Sequence, residues 1–308
     1  MLASMRRLGH RLAMTDFPKP HFVDANGVRL AVHEKGNGAP VVLVHGWPEM
    51  AYSWKHQMTA LAGAGYRAIA PDLRGFGASD APKDRAAYDI VHLTDDLVAI
   101  LDALDIEKAV FCGHDWGGVI VWPFAMLHPD RVAGVIGVCT AHRPPLTIPP
   151  IKIIEKFRGP KHYIVQFQEE GGVEALFTGE EDKFFRIMFQ KAPKREILDK
   201  MGHRIFDLPG RFQHGPTPEI EGLVMGPADL QVYVDAYKAS GFHGGINLYR
   251  NIDRDHEILR DVDPVIPAPS LWIGADDDAF LPVEAADGME QWAPDLEKHT
   301  VADCGHWM

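Results

Sequence analysis

Apolar positions alternate between two rhythms from about residue 28 to residue 140. Val/Leu-rich runs at VRLAVHEKG (28–36), PVVLVHG (40–46), YRAIAPD (66–72), KAVFCG (108–113) and VAGVIGVCT (132–140) have the length and character of strands. PVVLVHG, apolar without alternation, reads as a parallel strand buried on both faces. Between these runs the spacing is helical. WKHQMTALAGAG (54–65) predicts a helix closing on Gly63 or Gly65, and DIVHLTDDLVAILDAL (89–104) places Val91, Leu97, Ile100, Leu101 and Leu104 at helical spacing. A third helix is expected from about Trp116 to His128, with a kink at Pro123 costing about 3 kcal/mol. Strand–helix alternation of this kind predicts a parallel sheet covered on both faces by helices.

The rhythm stops at the proline-rich AHRPPLTIPP (141–150). From there to about Asn251 the chain is helix-like and loop-like and rich in Phe and Tyr. Strand text resumes at PSLWIGADD (269–277) and LEKHTVADC (296–304). The predicted organisation is a flexible N-terminal extension over 1–20, an α/β core over 21–143, a helical cap over 144–251, and a return to the core over 252–308. No internal repeat interrupts it.

Composition narrows the function. A formal net charge of −12 argues against nucleic acid or an anionic membrane as partner. No apolar run reaches the roughly 18 residues that span a bilayer. Arg6, Arg7 and Arg11 lie in an N-terminus without the apolar stretch of a secretory signal. Cys112, Cys139 and Cys304 are odd in number and scattered, which predicts no disulfide framework, no paired-cysteine metal site and a cytoplasmic location. Sixteen histidines form no His-Glu-x-x-His and no tight cluster, and RGFGASD (74–80) lacks the third glycine of a nucleotide loop. Neither a metal nor a cofactor is expected.

The chemistry concentrates at CGHDWGG (112–118). Small residues on either side of Asp115, after a strand and before a helix, make a sharp turn that lifts the acid over the sheet, with a helix N-terminus beneath it. A carboxylate with an ordinary pKa near 3.9 is ionised at neutral pH without help from a base. It is poorly suited to opening an ester or amide. It can displace a leaving group at saturated carbon, forming an alkyl ester with itself that a second nucleophile must cleave. HGWP (45–48) follows a strand at the edge where ligands bind parallel sheets, and the backbone N–H groups of Trp47 and Trp116 are the candidate oxyanion donors. CGHW (304–307) places His306 after the last strand, in the order nucleophile, acid, histidine, where it would activate water with an aspartate from GADDDAFLP (274–282). Trp47, Trp116 and Phe167, one of several cap phenylalanines, are candidate walls of an apolar substrate cavity.

HGWPEMAYSWKHQ (45–57), YRAIAPDLRGFGASDAP (66–82), GHDWGG (113–118) and CGHW (304–307) together resemble the epoxide hydrolases of the α/β-hydrolase superfamily, over nearly everything from Phe22 onward. The resemblance implies an α/β-hydrolase fold with an inserted helical cap, and conversion of an apolar epoxide and water to a vicinal diol. It also implies two cap tyrosines that hold the ring oxygen. HYIVQFQEEGG (162–172) maps the first onto Tyr163, and GGINLYRNIDR (244–254) maps the second onto Tyr249. The spacing of the triad acid to Pro282 in similar proteins favours Asp277, with Asp276 and Asp278 as alternatives. Proteins of this kind continue into a helix after the histidine, whereas here the chain stops two residues on, and a mobile His306 is the corresponding expectation. A monomer or homodimer is expected. Haloalkane or haloacid dehalogenases are similar, also using an aspartate at the elbow with indole donors for halide. A non-catalytic binding protein on the same fold is a third reading.

Overall fold

A computed structural model of the chain describes residues 17–308, so most of the predicted extension over 1–20 lies outside the described residues. Eight strands form one sheet: β1 (His21–Ala25), β2 (Val28–Lys35), β3 (Ala39–Val44), β4 (Tyr66–Pro71), β5 (Ala109–His114), β6 (Val132–Val138), β7 (Ser270–Ala275) and β8 (Leu296–Val301). Their order across the sheet is β1-β2-β4-β3-β5-β6-β7-β8. Pairings from β4 through β8 are parallel, and β1–β2 and β2–β4 are antiparallel. The sheet is thus mostly parallel, as expected, with two antiparallel pairings at one edge. β1 and β2 form a hairpin closed by Asn26-Gly27, in which both residues take positive φ, 47° and 80°, as a two-residue hairpin requires.

Alternation along the central strands decides which helix covers which face. Val42, Val44 and Phe111 pack with Leu93, Leu97 and Ile100 of α2 (Ile90–Ala103) and with Ile120 and Phe124 of α3 (Trp116–Leu127). Val41, Leu43 and Cys112 face the other way, toward Trp54 and Met58 at α1 (Lys55–Gly63). α3 is apolar around its circumference because sheet and neighbouring helices cover all but the side that carries Val119. It runs continuously through Pro123, which forfeits one intrahelical bond to the carbonyl of the exposed residue Val119.

Between β6 and β7 the chain is helical: α4 (Pro150–Arg158), α5 (Tyr163–Gln166), α6 (Gly172–Phe177), α7 (Glu181–Met188), α8 (Arg195–Met201), α9 (Leu208–His214), α10 (Pro227–Ser240), α11 (His243–Arg250) and α12 (Ile252–Leu259). Phe167, Phe177, Phe184, Phe185 and Phe189 are buried within this cap and form one continuous core with Trp47 and Phe76 beneath it. Polar links also join cap to core. The Tyr52 hydroxyl donates to Asp229 at 2.7 Å, Lys55 pairs with the same carboxylate, and Asn251 donates to the Arg85 carbonyl at 2.7 Å. Among the described residues, no helix is long and apolar enough to cross a membrane.

Candidate active site

Asp115 sits between the end of β5 and the start of α3 with φ 52° and ψ −117°, a left-handed conformation that a non-glycine residue holds only when its surroundings impose it. Here they do. The Asp115 carbonyl accepts from Thr140 Oγ1 at 2.6 Å and from Val119 N at 3.1 Å. The turn is also clamped from below. A Cβ on Gly117 would stand 1.9 Å from the Val44 carbonyl oxygen, and one on Gly46 would stand 2.5 Å from the Asp115 Cβ. Both glycines are needed for the approach of backbone to backbone, and the carboxylate is raised where β3, β5, β7 and β8 end.

The two oxygens of Asp115 have different partners. Oδ1 accepts the backbone N–H of Trp47 at 2.9 Å, while Oδ2 faces His306 Nε2 at 3.5 Å. As the first residue of α3, Trp116 has an N–H without an acceptor inside the helix. The Trp47 loop is itself fixed by the fully buried His45. Its Nε2 accepts from Leu73 N at 3.0 Å, and burial lowers its pKa, so it serves as a neutral strut.

Asp277 is not the partner of His306. His306 Nδ1 lies 2.8 Å from Asp278 Oδ2, and Asp278 is completely buried. Asp277 points to the cap, where it accepts from Arg195 N at 3.0 Å and pairs with Lys194 at 3.0 Å. Asp276 accepts from Cys304 N at 3.2 Å and so holds the histidine loop. The reason for the one-residue difference is local. Asp278 Oδ1 accepts from Phe280 N at 2.8 Å and Leu281 N at 3.0 Å, an Asx turn that leaves only its Oδ2 for the imidazole. The loop carrying His306 is well anchored: the His306 carbonyl lies 2.9 Å from His114 Nε2, and Trp307 Nε1 donates to the Met188 carbonyl at 2.7 Å.

Burial alone would lower the His306 pKa, but the Asp278 charge, the imidazole's hydrogen bond to Asp278 and the adjacent Asp115 carboxylate hold it well above the usual histidine value. Burial would likewise raise the Asp115 carboxyl, yet the His306 hydrogen bond and charge, His114 and the Trp47 N–H bring it below the usual carboxylate value. The resting state is thus an imidazolium between two carboxylates. His114, outside the expected set, supports it from behind. Its Nδ1 lies 2.8 Å from Glu49, and against the opposing effect of burial the Glu49 charge pushes its pKa up to about 10. His114, Cys139 and His306 converge closely enough to suggest a metal, but the ring nitrogens of both histidines are already engaged with Glu49, the His306 carbonyl, Asp278 and Asp115.

Tyr163, at the start of α5, and Tyr249, on α11, stand opposite Asp115. Their ring centroids lie 5.5 Å apart in an edge-to-face arrangement. Burial first, and then negative or phenolic neighbours that include Asp115, push both hydroxyls above the ordinary phenol value, so both remain neutral donors. Arg250, which sequence reasoning missed, ties the two segments together. It donates to the carbonyls of Phe167 at 2.9 Å and Glu169 at 2.7 Å, and pairs in bidentate fashion with Glu174. Gln168 adds a bond to the Tyr249 carbonyl at 2.9 Å.

These groups line a cavity of about 410 Å³, counting its opening to solvent. Its apolar wall comes from Met188, Ile205, Leu208, Phe280 and Trp307. Trp47 reaches this cavity. Phe167 does not: it is fully buried behind Trp47, Tyr163 and Tyr249. Trp116 is a support for Tyr249, with ring centroids 5.0 Å apart edge to face, and does not form part of the cavity wall. The Trp47 indole lies against Gly245, where a Cβ would come 2.5 Å from Nε1.

Comparison with known proteins gives the family and the fold. Residues 39–170 match the family model of the alpha/beta hydrolase fold. Epoxide hydrolase A of Mycobacterium tuberculosis is 39% identical over 297 residues, covering 94% of this chain and 92% of that protein. Bifunctional epoxide hydrolase 2 of Sus scrofa is 37% identical over 91% of this chain, which spans 50% of its length. Epoxide hydrolase A from Mycobacterium thermoresistibile has a crystal structure that superposes with a TM-score of 0.83 at 36% identity, over 94% of this chain and 93% of that one. An epoxide hydrolase from an endophytic Streptomyces gives 0.86 at 35% identity, over 94% and 89%.

Proposed function

Because the chain belongs to the epoxide hydrolases of the α/β-hydrolase superfamily, we propose that it opens its substrate by covalent catalysis at Asp115. The observation that carries this reading is the split environment of that carboxylate. One oxygen is held by the Trp47 N–H, and the other faces the base, beneath a pair of neutral phenols. Asp115 Oδ2 attacks a ring carbon while Tyr163 and Tyr249 bind the ring oxygen. The C–O bond breaks, and the oxygen takes a proton from a phenol, which His306 restores. His306 is then neutral, and loss of the Asp115 charge removes one of the influences that held its proton.

In the second step His306 takes a proton from water, and the hydroxide adds to the ester carbonyl. Charge developing on Oδ1 is met by the Trp47 N–H and the N–H of Trp116. Collapse releases the second hydroxyl of the diol, protonated through His306. The remaining water proton returns to His306 as Asp115 becomes a carboxylate again, so atoms and protons balance. The dehalogenase reading has less support: the Trp116 ring packs against Tyr249 and is not part of the cavity wall over Asp115, and the relatives named above are epoxide hydrolases.

The test is diol formation from a panel of aryl and alkyl epoxides, with Asp115→Ala, Tyr163→Phe and Tyr249→Phe alongside. Asp115→Ala is expected to show no turnover, and the double phenylalanine variant to lose at least about 100-fold. Substantial diol from a folded Asp115→Ala protein would overturn the assignment of the nucleophile.

A further inference from the structure

The cavity wall carries one charge that the reaction above does not use. Apart from Asp115 and His306, the ionisable lining residues are the two tyrosines and Arg211, on the same short helix, α9, as Leu208. One guanidinium nitrogen, Nη1, donates to the Ile205 carbonyl at 3.0 Å. Among the described residues no carboxylate pairs with Arg211. Its pKa is lowered by burial, with no acidic neighbour opposing the shift.

Arg211 is half-buried, and two buried arginines are built differently. Arg74 is closed by a bidentate pair with Asp96, and Arg250 by one with Glu174. A guanidinium has five N–H donors, and withdrawing it from water without a counter-ion is unfavourable. A fork left open on the wall of an apolar cavity is matched by a planar anion that arrives with the ligand.

We infer that Arg211 is a specificity-determining residue that selects epoxides bearing a carboxylate at the end remote from the ring. The inference rests on the hydrolase reading above, and it fixes an orientation. The negative charge of Asp115 disfavours a second anion beside it, so the oxirane lies at Asp115 and the carboxylate at Arg211. Apolar contacts with Met188, Leu208 and Phe280 cover the chain or ring between them.

The experiment compares an ω-epoxy medium-chain carboxylate with its methyl ester on the wild type, Arg211→Gln and Arg211→Lys, near neutral pH and at low salt. In the wild type kcat/KM is expected to favour the acid by at least about 10-fold, mostly through KM. Arg211→Gln should bring that ratio close to one. Arg211→Lys, which keeps the charge but not the fork, should retain part of the preference. A wild-type ratio near one overturns the inference whether or not the glutamine variant folds, and so does an unchanged ratio in a folded Arg211→Gln. In both cases turnover of the ester leaves the hydrolase reading standing. Diol from neither compound, nor from neutral epoxides, removes that reading and this inference together.

Discussion

Three consecutive aspartates at 276–278 do three different jobs, and only their backbone surroundings distinguish them. Asp276 ties down the histidine loop, Asp277 meets the cap, and Asp278 holds the imidazole. Counting residues to Pro282 selects Asp277. The decisive feature is the pair of N–H groups at Phe280 and Leu281, which need an acceptor that Asp278 alone is placed to supply. Asp278→Asn should keep the first half of the reaction and lose most of the second, lowering steady-state turnover by about 100-fold or more. Intact-protein mass spectrometry would then show a substrate adduct. Asp277→Asn should leave turnover within a few-fold. Equal losses in the two variants would contradict the assignment. That Asp115 and His306 meet was legible because each sits in a motif with a chemical reason, and the resemblance pointed to Tyr163 and Tyr249 in the same cavity. Arg211, Arg250 and the apolar wall were not, because separate short helices contribute them without a recurring spacing.

At the scale of elements, the strand–turn–helix around Asp115 stands on close approach more than on propensity. Gly117→Ala would drive a methyl group into the Val44 backbone, which has no side-chain freedom to yield. A loss of about 3 kcal/mol or more is expected from urea denaturation. Gly63→Ala, at the end of α1 with nothing within 4 Å, is the control and should be neutral or stabilising by up to about 1 kcal/mol. A neutral Gly117→Ala would mean that the turn relaxes more easily than its geometry suggests. The central strands and first three helices could be read from apolar periodicity because both faces of the sheet are covered. β1 escaped although Asn26-Gly27 announces its hairpin, since a half-exposed edge strand shows only a weak alternation. Short cap helices such as α5 and α6 were legible only as a helical region. Their positions depend on ring packing among Phe167, Phe177, Phe184 and Tyr249, which local spacing does not encode.

Across the whole molecule, cap and core meet at charges whose state depends on pH. Asp255, on α12, accepts from Ile90 N at the start of α2 at 2.7 Å. Burial, with a smaller contribution from Asp89, pushes its pKa up to about 8 against the opposing Ile90 N–H and Arg254. The sign follows directly. Between about pH 4 and this value the unfolded chain has released a proton that the folded one retains, so stability falls as pH rises through that window. Asp255→Asn keeps the acceptor and removes the charge. It should therefore melt at a higher temperature near pH 7.5, by the equivalent of about 1–3 kcal/mol, and lose that advantage toward pH 4. A benefit independent of pH would sink the argument.

The unequal pairing of the Asp115 oxygens has a consequence for the material identity of the molecule. In the proposed cycle, Oδ2 leaves with the diol and a water oxygen takes its place, while Oδ1 remains under the Trp47 N–H. Each turnover thus exports one atom of the protein and restores it from solvent. After many cycles the chain keeps the same mass and sequence, yet at this position one oxygen dates from synthesis and its neighbour is only as old as the last reaction.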